Sequence, residues 1–261
     1  MQRSPAVEAS RSFRPRPITL AHPLRWLRRG AKDLTRCPLP GLLHGLAAAV
    51  FGGLLFWLAG QHFWLLAGAF SGFLIMAPLV ATGLYAVSRG LARGESPRLA
   101  TALASWHPRH RRLIGFGVLL GLAGTGWVLT SAALITGFAP APVDKPADFL
   151  RVVVLGDSWL FEVWLLLGGV LAAPMFASSV IAIPLLQERD VPVAVAVYAS
   201  WRVVMESPGP MALWAGLLMA MTALGMATAL TGLIVILPWL AHASWHAYRD
   251  LLDMPDDTSR P

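Results

Sequence analysis

The sequence predicts an all-α membrane protein with six transmembrane helices, arranged as three repeats of an interfacial amphipathic helix plus a transmembrane hairpin. Three observations lead there. The first is composition: of 261 residues, 56% are hydrophobic and 13% are charged, whereas a soluble domain carries about 25% charge. So little charge cannot cover a water-soluble surface, and so much apolar content excludes disorder over most of the chain. The second is that the apolar residues come in long blocks, near or above the roughly 20 residues that a bilayer requires. The third is a recurring pattern of Pro, eight residues, then Trp, which ends in Ala-Ser-Trp at both Trp106 and Trp201.

In chain order, residues 1–22 are rich in Arg, Pro and Ser without apolar periodicity, and read as a disordered basic tail. Residues 23–251 form the six-helix integral membrane domain, and 252–261 a disordered acidic tail. From Pro23, Leu24, Leu27 and Leu34 fall near one face, with Arg25, Arg28, Arg29 and Lys32 elsewhere, which suits a short helix lying in the interface. Pro38 to about Val87 is apolar except at His44 and Gln61–His62, enough for two spans with a tight turn flanked by Trp57 and Trp64. Residues 113–138 give a third span, 139–159 a Pro- and Asp-rich loop, and 160–186 a fourth span. Met211 to Tyr248 holds a second hairpin with its turn near Gly225–Thr228.

Charge orients the bundle. With both termini cytoplasmic, 19 of the 21 Lys and Arg lie inside, and only Lys145 and Arg151 lie outside, as the positive-inside rule asks. Both ends are therefore expected to be cytoplasmic. The basic clusters abut apolar blocks, so their expected partners are the lipid bilayer and anionic lipid headgroups, together with a membrane protein partner, and not nucleic acid. A lone cysteine, Cys37, excludes an intramolecular disulfide and a multi-cysteine metal site.

The repeat rests on more than Ala-Ser-Trp. Leu99, Leu103 and Trp106 form one apolar stripe, and Val193, Val197 and Trp201 another. Pro38-x-Pro40-x-x-Leu43 is matched by Pro208-x-Pro210-x-x-Leu213, and Pro78 and Pro238 each precede an arginine, Arg89 and Arg249, by eleven residues. Pro78, Pro174, Pro184 and Pro238 should kink the even-numbered spans. Gly41-x3-Gly45, Gly68-x3-Gly72 and Gly117-x3-Gly121 should let backbones approach closely.

Candidate chemistry gathers at the cytoplasmic end. His242 and His246, four apart, share a helix face, with Tyr248, Arg249 and Arg89 at the same depth. These ends should converge with Glu95, Glu206 or Asp250 in a polar cluster; the competing reading is that each arginine snorkels alone to headgroups. The histidine pair has metal-ligand spacing and His44 could supply a third nitrogen, whereas His62 lies at the opposite face. Against that, the pair can simply hydrogen-bond at the membrane boundary, and no metal, cofactor or catalytic residue is assigned. Glu162, between Trp159 and Trp164, is a candidate intramembrane carboxylate or a headgroup-level one. No Ser, His and Asp are expected to meet at one depth, so the chain is not expected to be an enzyme.

Four stretches carry a family likeness: residues 26–40 (WLRRGAKDLTRCPLP), 76–95, 183–217 and 234–251. They include Gly83-Leu84-Tyr85-Ala86-Val87-Ser88-Arg89 and His242-Ala243-Ser244-Trp245-His246-Ala247-Tyr248-Arg249. In these the chain resembles a bacterial family of predicted integral membrane proteins, catalogued as domain of unknown function 2189. The resemblance implies that residues 26–251 are one family domain and brings no activity with it. The expected role is a non-catalytic accessory, assembly or scaffold factor. The alternatives are a permease or channel for a small or lipid-like solute, and a haem- or metal-linked respiratory factor.

Overall fold

The computed structural model describes residues 5–59, 61–68, 81–104 and 111–253. Pro78, Gly72, Ser105–Trp106 and residues 254–261, on which several expectations fell, lie outside the described residues. The first helices are α1 (Pro5–Ser10), α2 (His22–Arg36), α3 (Pro38–Ala59), α4 (Thr82–Ala92), α5 (Leu99–Ala104) and α6 (Arg111–Phe138). Then follow α7 (Leu160–Ser179), α8 (Ala182–Glu188), α9 (Val193–Glu206), α10 (Pro208–Ala227) and α11 (Leu233–Leu251). One strand pair, β1 (Arg14–Pro15) antiparallel to β2 (Leu252–Asp253), joins the two ends.

Among the described residues, four helices are long and apolar enough to cross a bilayer: Pro38–Leu58, Arg111–Phe138, Leu160–Glu188 and Pro208–Ala227. Their large side chains, among them Leu54, Leu122, Leu166 and Met219, point outward, where only lipid would make their exposure favourable. This is an all-α integral membrane protein. The second expected span has its middle outside the described residues. The sixth differs from expectation: α11 is apolar only in its first half, and its second half carries His242, His246, Arg249 and Asp250. Those groups are tolerable because α11 runs through the middle of the assembly, against α2, α3, α4 and α10.

Proline makes the corners. A residue before proline is pushed out of the helical region, while proline itself suits the first turn of the next helix. Cys37, before Pro38, has φ −137° and ψ 70°, and Ser207, before Pro208, has φ −135° and ψ 60°. Each N–H still donates to the carbonyl four residues back, Asp33 at 2.9 Å and Val203 at 3.3 Å. Thus α2 and α9 each turn into an apolar helix through a single residue of nearly the same geometry. Pro184 follows a break at Val180–Ile181, where the Ile181 N–H donates to Ser200 Oγ (3.1 Å) and Trp201 Nε1–H to Ser178 Oγ (2.9 Å). The Ser and Trp of the second Ala-Ser-Trp therefore clasp this break.

Close approach depends on small residues. A Cβ on Gly30 would lie 2.6 Å from the Ala243 nitrogen, and one on Gly45 would overlap the Ile234 carbonyl. That carbonyl has lost its helical donor because Pro238, four residues on, has no N–H; Gly45 lets α3 cover it. Gly121 meets nothing within 4 Å, so its spacing with Gly117 marks no such contact among the described residues.

Several expectations are corrected. The buried face of α2 (Trp26, Leu27, Gly30, Asp33, Leu34) lies against protein rather than lipid. On α9 Val195, Ala196, Ala199, Ser200 and Val203 are buried, while Val193 and Val197 of the expected stripe are half-buried against the same core and Trp201 is exposed. On α5 Ala102 is buried while Leu103 is half exposed. The segment 139–159 is no open loop: it holds a helical turn (Pro146–Asp148) and a π-helical turn (Phe149–Val154), with Val143, Val152 and Val153 buried beside Ile135 and Leu160. Phe13 and Ser10 are buried, Arg202 donates to the Ser10 carbonyl at 3.0 Å, and Arg16 pairs with Asp253 at 2.5 Å.

Gly45→Ala should lower stability in detergent by about 1–3 kcal/mol, the usual result of overpacking. Gly121→Ala should be neutral or stabilising, since alanine is the better helix former. Thermal unfolding of the two variants beside the parent checks the opposite signs.

Candidate functional site

The polar residues collect where α2, α4, α8 and the second half of α11 meet. On α2, Trp26, Arg29 and Asp33 turn inward. Trp26 Nε1–H donates to Asp250 Oδ2 at 2.9 Å, and Arg29 grips both oxygens of the same carboxylate. His246 Nε2–H donates to Asp33 Oδ2 at 2.8 Å. Trp26 is fully buried, edge-on to Trp214 of α10 with ring centroids 5.4 Å apart. Two acid–base pairs therefore lock α2 to α11, and an aromatic pair ties α2 to α10.

Asp33 is the hub. It is buried and accepts from His246, with Ser88 close by. Burial alone would raise its carboxyl, but these polar neighbours and the nearby histidines outweigh burial and hold it below its ordinary value. Ser88 Oγ and His242 Nδ1 share a buried hydrogen bond at 2.7 Å that ties α4 to α11, and His242 Nε2 is buried near Gly41.

A serine, two histidines and an aspartate do meet here, contrary to expectation: Ser88 pairs with His242, and Asp33 with His246. In a hydrolytic triad one histidine stands between the acid and the serine. Here the serine and the acid are held by different histidines, and Ser88 is fully buried. The set joins helices.

A second carboxylate, Glu188 on α8, takes Trp245 Nε1–H at 3.4 Å, the Tyr248 hydroxyl, and Arg89 at 3.8 Å. Of the residues singled out in the sequence, His242, His246, Tyr248 and Arg89 therefore come together. Arg249 does not: it is exposed and forms no ion pair among the described residues. The acidic partners are Asp33, Glu188 and Asp250; Glu95 and Glu206 stay exposed. His242 and His246 reach different partners, and among the described residues no three His, Cys, Asp or Glu side chains could hold a metal ion. His44 Nδ1–H donates to the Pro40 carbonyl at 2.6 Å, and His62 is exposed. Glu162 is exposed in the first turn of α7, where a carboxylate favours the helix dipole.

Sequence reasoning missed Asp33, Ser88, Glu188 and Trp26. A signal existed for one pair: Asp33 is the sole acid of α2 and lies seven residues after Trp26, on the same face.

Residues 65–188 match the model of a family described as "Predicted integral membrane protein (DUF2189)". The match takes in Ser88, Arg89 and Glu188 and leaves α2 and α11 outside it, a narrower stretch than residues 26–251. No curated protein and no solved structure matches the chain.

Asp33→Asn should destabilise the protein by about 3–5 kcal/mol, as breaking a buried pair does, while Arg249→Gln should stay within about 0.5 kcal/mol. Because the folded-state value of Asp33 is lowered, its contribution is present above the ordinary carboxylate range and is lost as pH falls through the lowered value. Unfolding midpoints at neutral pH and in acid check this: the gap between parent and variant should close only in acid.

Proposed function

We propose that the chain is a non-catalytic accessory, assembly or scaffold protein of a bacterial inner membrane, with both termini cytoplasmic. The observation that carries this reading is the set of ties Arg29–Asp250, Asp33–His246 and Ser88–His242, in which the groups that could do chemistry hold helices together. The face left for a partner is on α9. Ala194, Tyr198, Trp201 and Met205, spaced three and four apart, are all exposed and form one stripe opposite the buried small residues. Tyr and Trp are enriched at interfaces because an apolar ring ends in a polar group. The orientation rests on the 19-to-two split of basic residues.

A second reading, a permease or channel for a small or lipid-like solute, is favoured by the break between α7 and α8. Interrupted helices line the sites of many transporters. Here the freed Ile181 N–H is already taken by Ser200, which speaks for a static bend.

Extraction in mild detergent followed by mass spectrometry should recover one membrane protein in fixed ratio, and Tyr198→Ser with Met205→Ser should lose it. Recovery of the chain alone, with solute flux in vesicles, would favour the permease. Cysteine labelling should report the outer side at Gln61 and Asp148 and the cytoplasm at Glu95 and Asp190; a cytoplasmic Asp148 would overturn the orientation.

A further inference from the structure

α2 carries five Lys and Arg, and the fold divides them. Arg29 turns inward to Asp250. Arg25, Arg28, Lys32 and Arg36, spaced three, four and four apart, are all exposed and so form one stripe. Among the described residues none of the four makes an ion pair. The stripe faces away from the side on which Trp26, Leu27, Gly30 and Leu34 are buried. The single acid of the helix, Asp33, is buried and engaged by His246, so α2 shows the outside positive charge alone.

The corner fixes the depth of the stripe. Arg36 stands two residues before Pro38, where a helix of bilayer length begins, and two residues of helix rise only about 3 Å. The stripe therefore ends at headgroup level. Leu24 and Leu39, 60% and 61% exposed, stand beside it as side chains that would enter the lipid. Cys37 Sγ–H donates to the Pro97 carbonyl at 3.3 Å, which brings the exposed Arg98 to the same end as Arg36.

We infer that Arg25, Arg28, Lys32 and Arg36 form a binding surface for the phosphate headgroups of anionic lipids in the leaflet around α3. Arginine and lysine at this depth meet lipid phosphates directly, and the net charge of phosphatidylglycerol or cardiolipin distinguishes them from zwitterionic neighbours. A surface for nucleic acid or an acidic protein would instead have to stand clear of the headgroups. The inference rests on the membrane reading of α3 and is independent of the partner proposed for α9.

The test uses the full chain in nanodiscs of equal parts phosphatidylglycerol and phosphatidylcholine, with retained lipids counted by native mass spectrometry. The parent should retain phosphatidylglycerol in at least about tenfold preference, and raising salt from about 0.05 to about 0.5 M should weaken that preference. The quadruple variant R25Q/R28Q/K32Q/R36Q should lose it, while K145Q/R151Q, at the opposite end, should keep it. If the quadruple variant does not fold, single substitutions should each cost up to about fivefold. An unchanged preference in folded variants overturns the inference. So does a parent that retains added RNA or a copurifying acidic protein through these residues without preferring anionic lipid. A lost lipid preference with the α9 partner still bound, or the reverse, separates this site from the scaffold role.

Discussion

The fold depends on how closely α2 can lie against α11. Gly30 and Ala243 touch backbone to backbone, and that distance brings Asp33 to His246, and Trp26 and Arg29 to Asp250. The order of causes runs one way. Hydrogen bonds of this kind need their partners within about 3 Å, and any side chain larger than hydrogen at Gly30 would separate the helices before the charges met. Once the helices meet, the buried carboxylates have no water to return to, so pairing becomes obligatory. A small residue sets the geometry, and the polar groups make departure from it costly.

The same division of labour recurs across the bundle. Gly45 covers the carbonyl that Pro238 orphans; Ala196, Ala199 and Ser200 take α9 against its neighbours. Large side chains are placed outside, on Tyr198, Trp201, Leu122 and Leu166. In lipid, where apolar side chains gain nothing by leaving the solvent, helices associate through close packing and through the polar groups that packing brings together.

Much of this was legible in the sequence, and the boundary of legibility has a physical reason. The membrane class, the apolar helices and the Pro-led corners follow from composition and local stereochemistry; the turn between α10 and α11, expected near Gly225–Thr228, falls at Thr228–Gly232. The clustering of His242, His246 and Tyr248 with Arg89 could be guessed from depth alone. What could not be read was which face is inward. Periodicity marks Val193, Val197 and Trp201 as one stripe, but the habit of reading a helix by its large apolar residues passes over the small Ala196, Ala199 and Ser200, which are the most deeply buried. The same habit placed α2 flat on lipid and hid Asp33. Ser88 and Glu188 were invisible because their partners come from other helices.

The pairing of α2 with α11 also sets an order in time. Asp33 and His246 are 213 residues apart, and synthesis proceeds at about 5–20 residues per second, so Asp33 waits about 10–40 s for its partner to be made. Trp26 gains Trp214 when α10 is made, but the carboxylate of Asp33 has no His246 to pair with until α11 follows. A chain cut short before α11 never makes that pair. The last helix thus works as a seal on completion, and a ribosome that stalls late leaves a product that differs from the finished protein at its beginning as well as at its end.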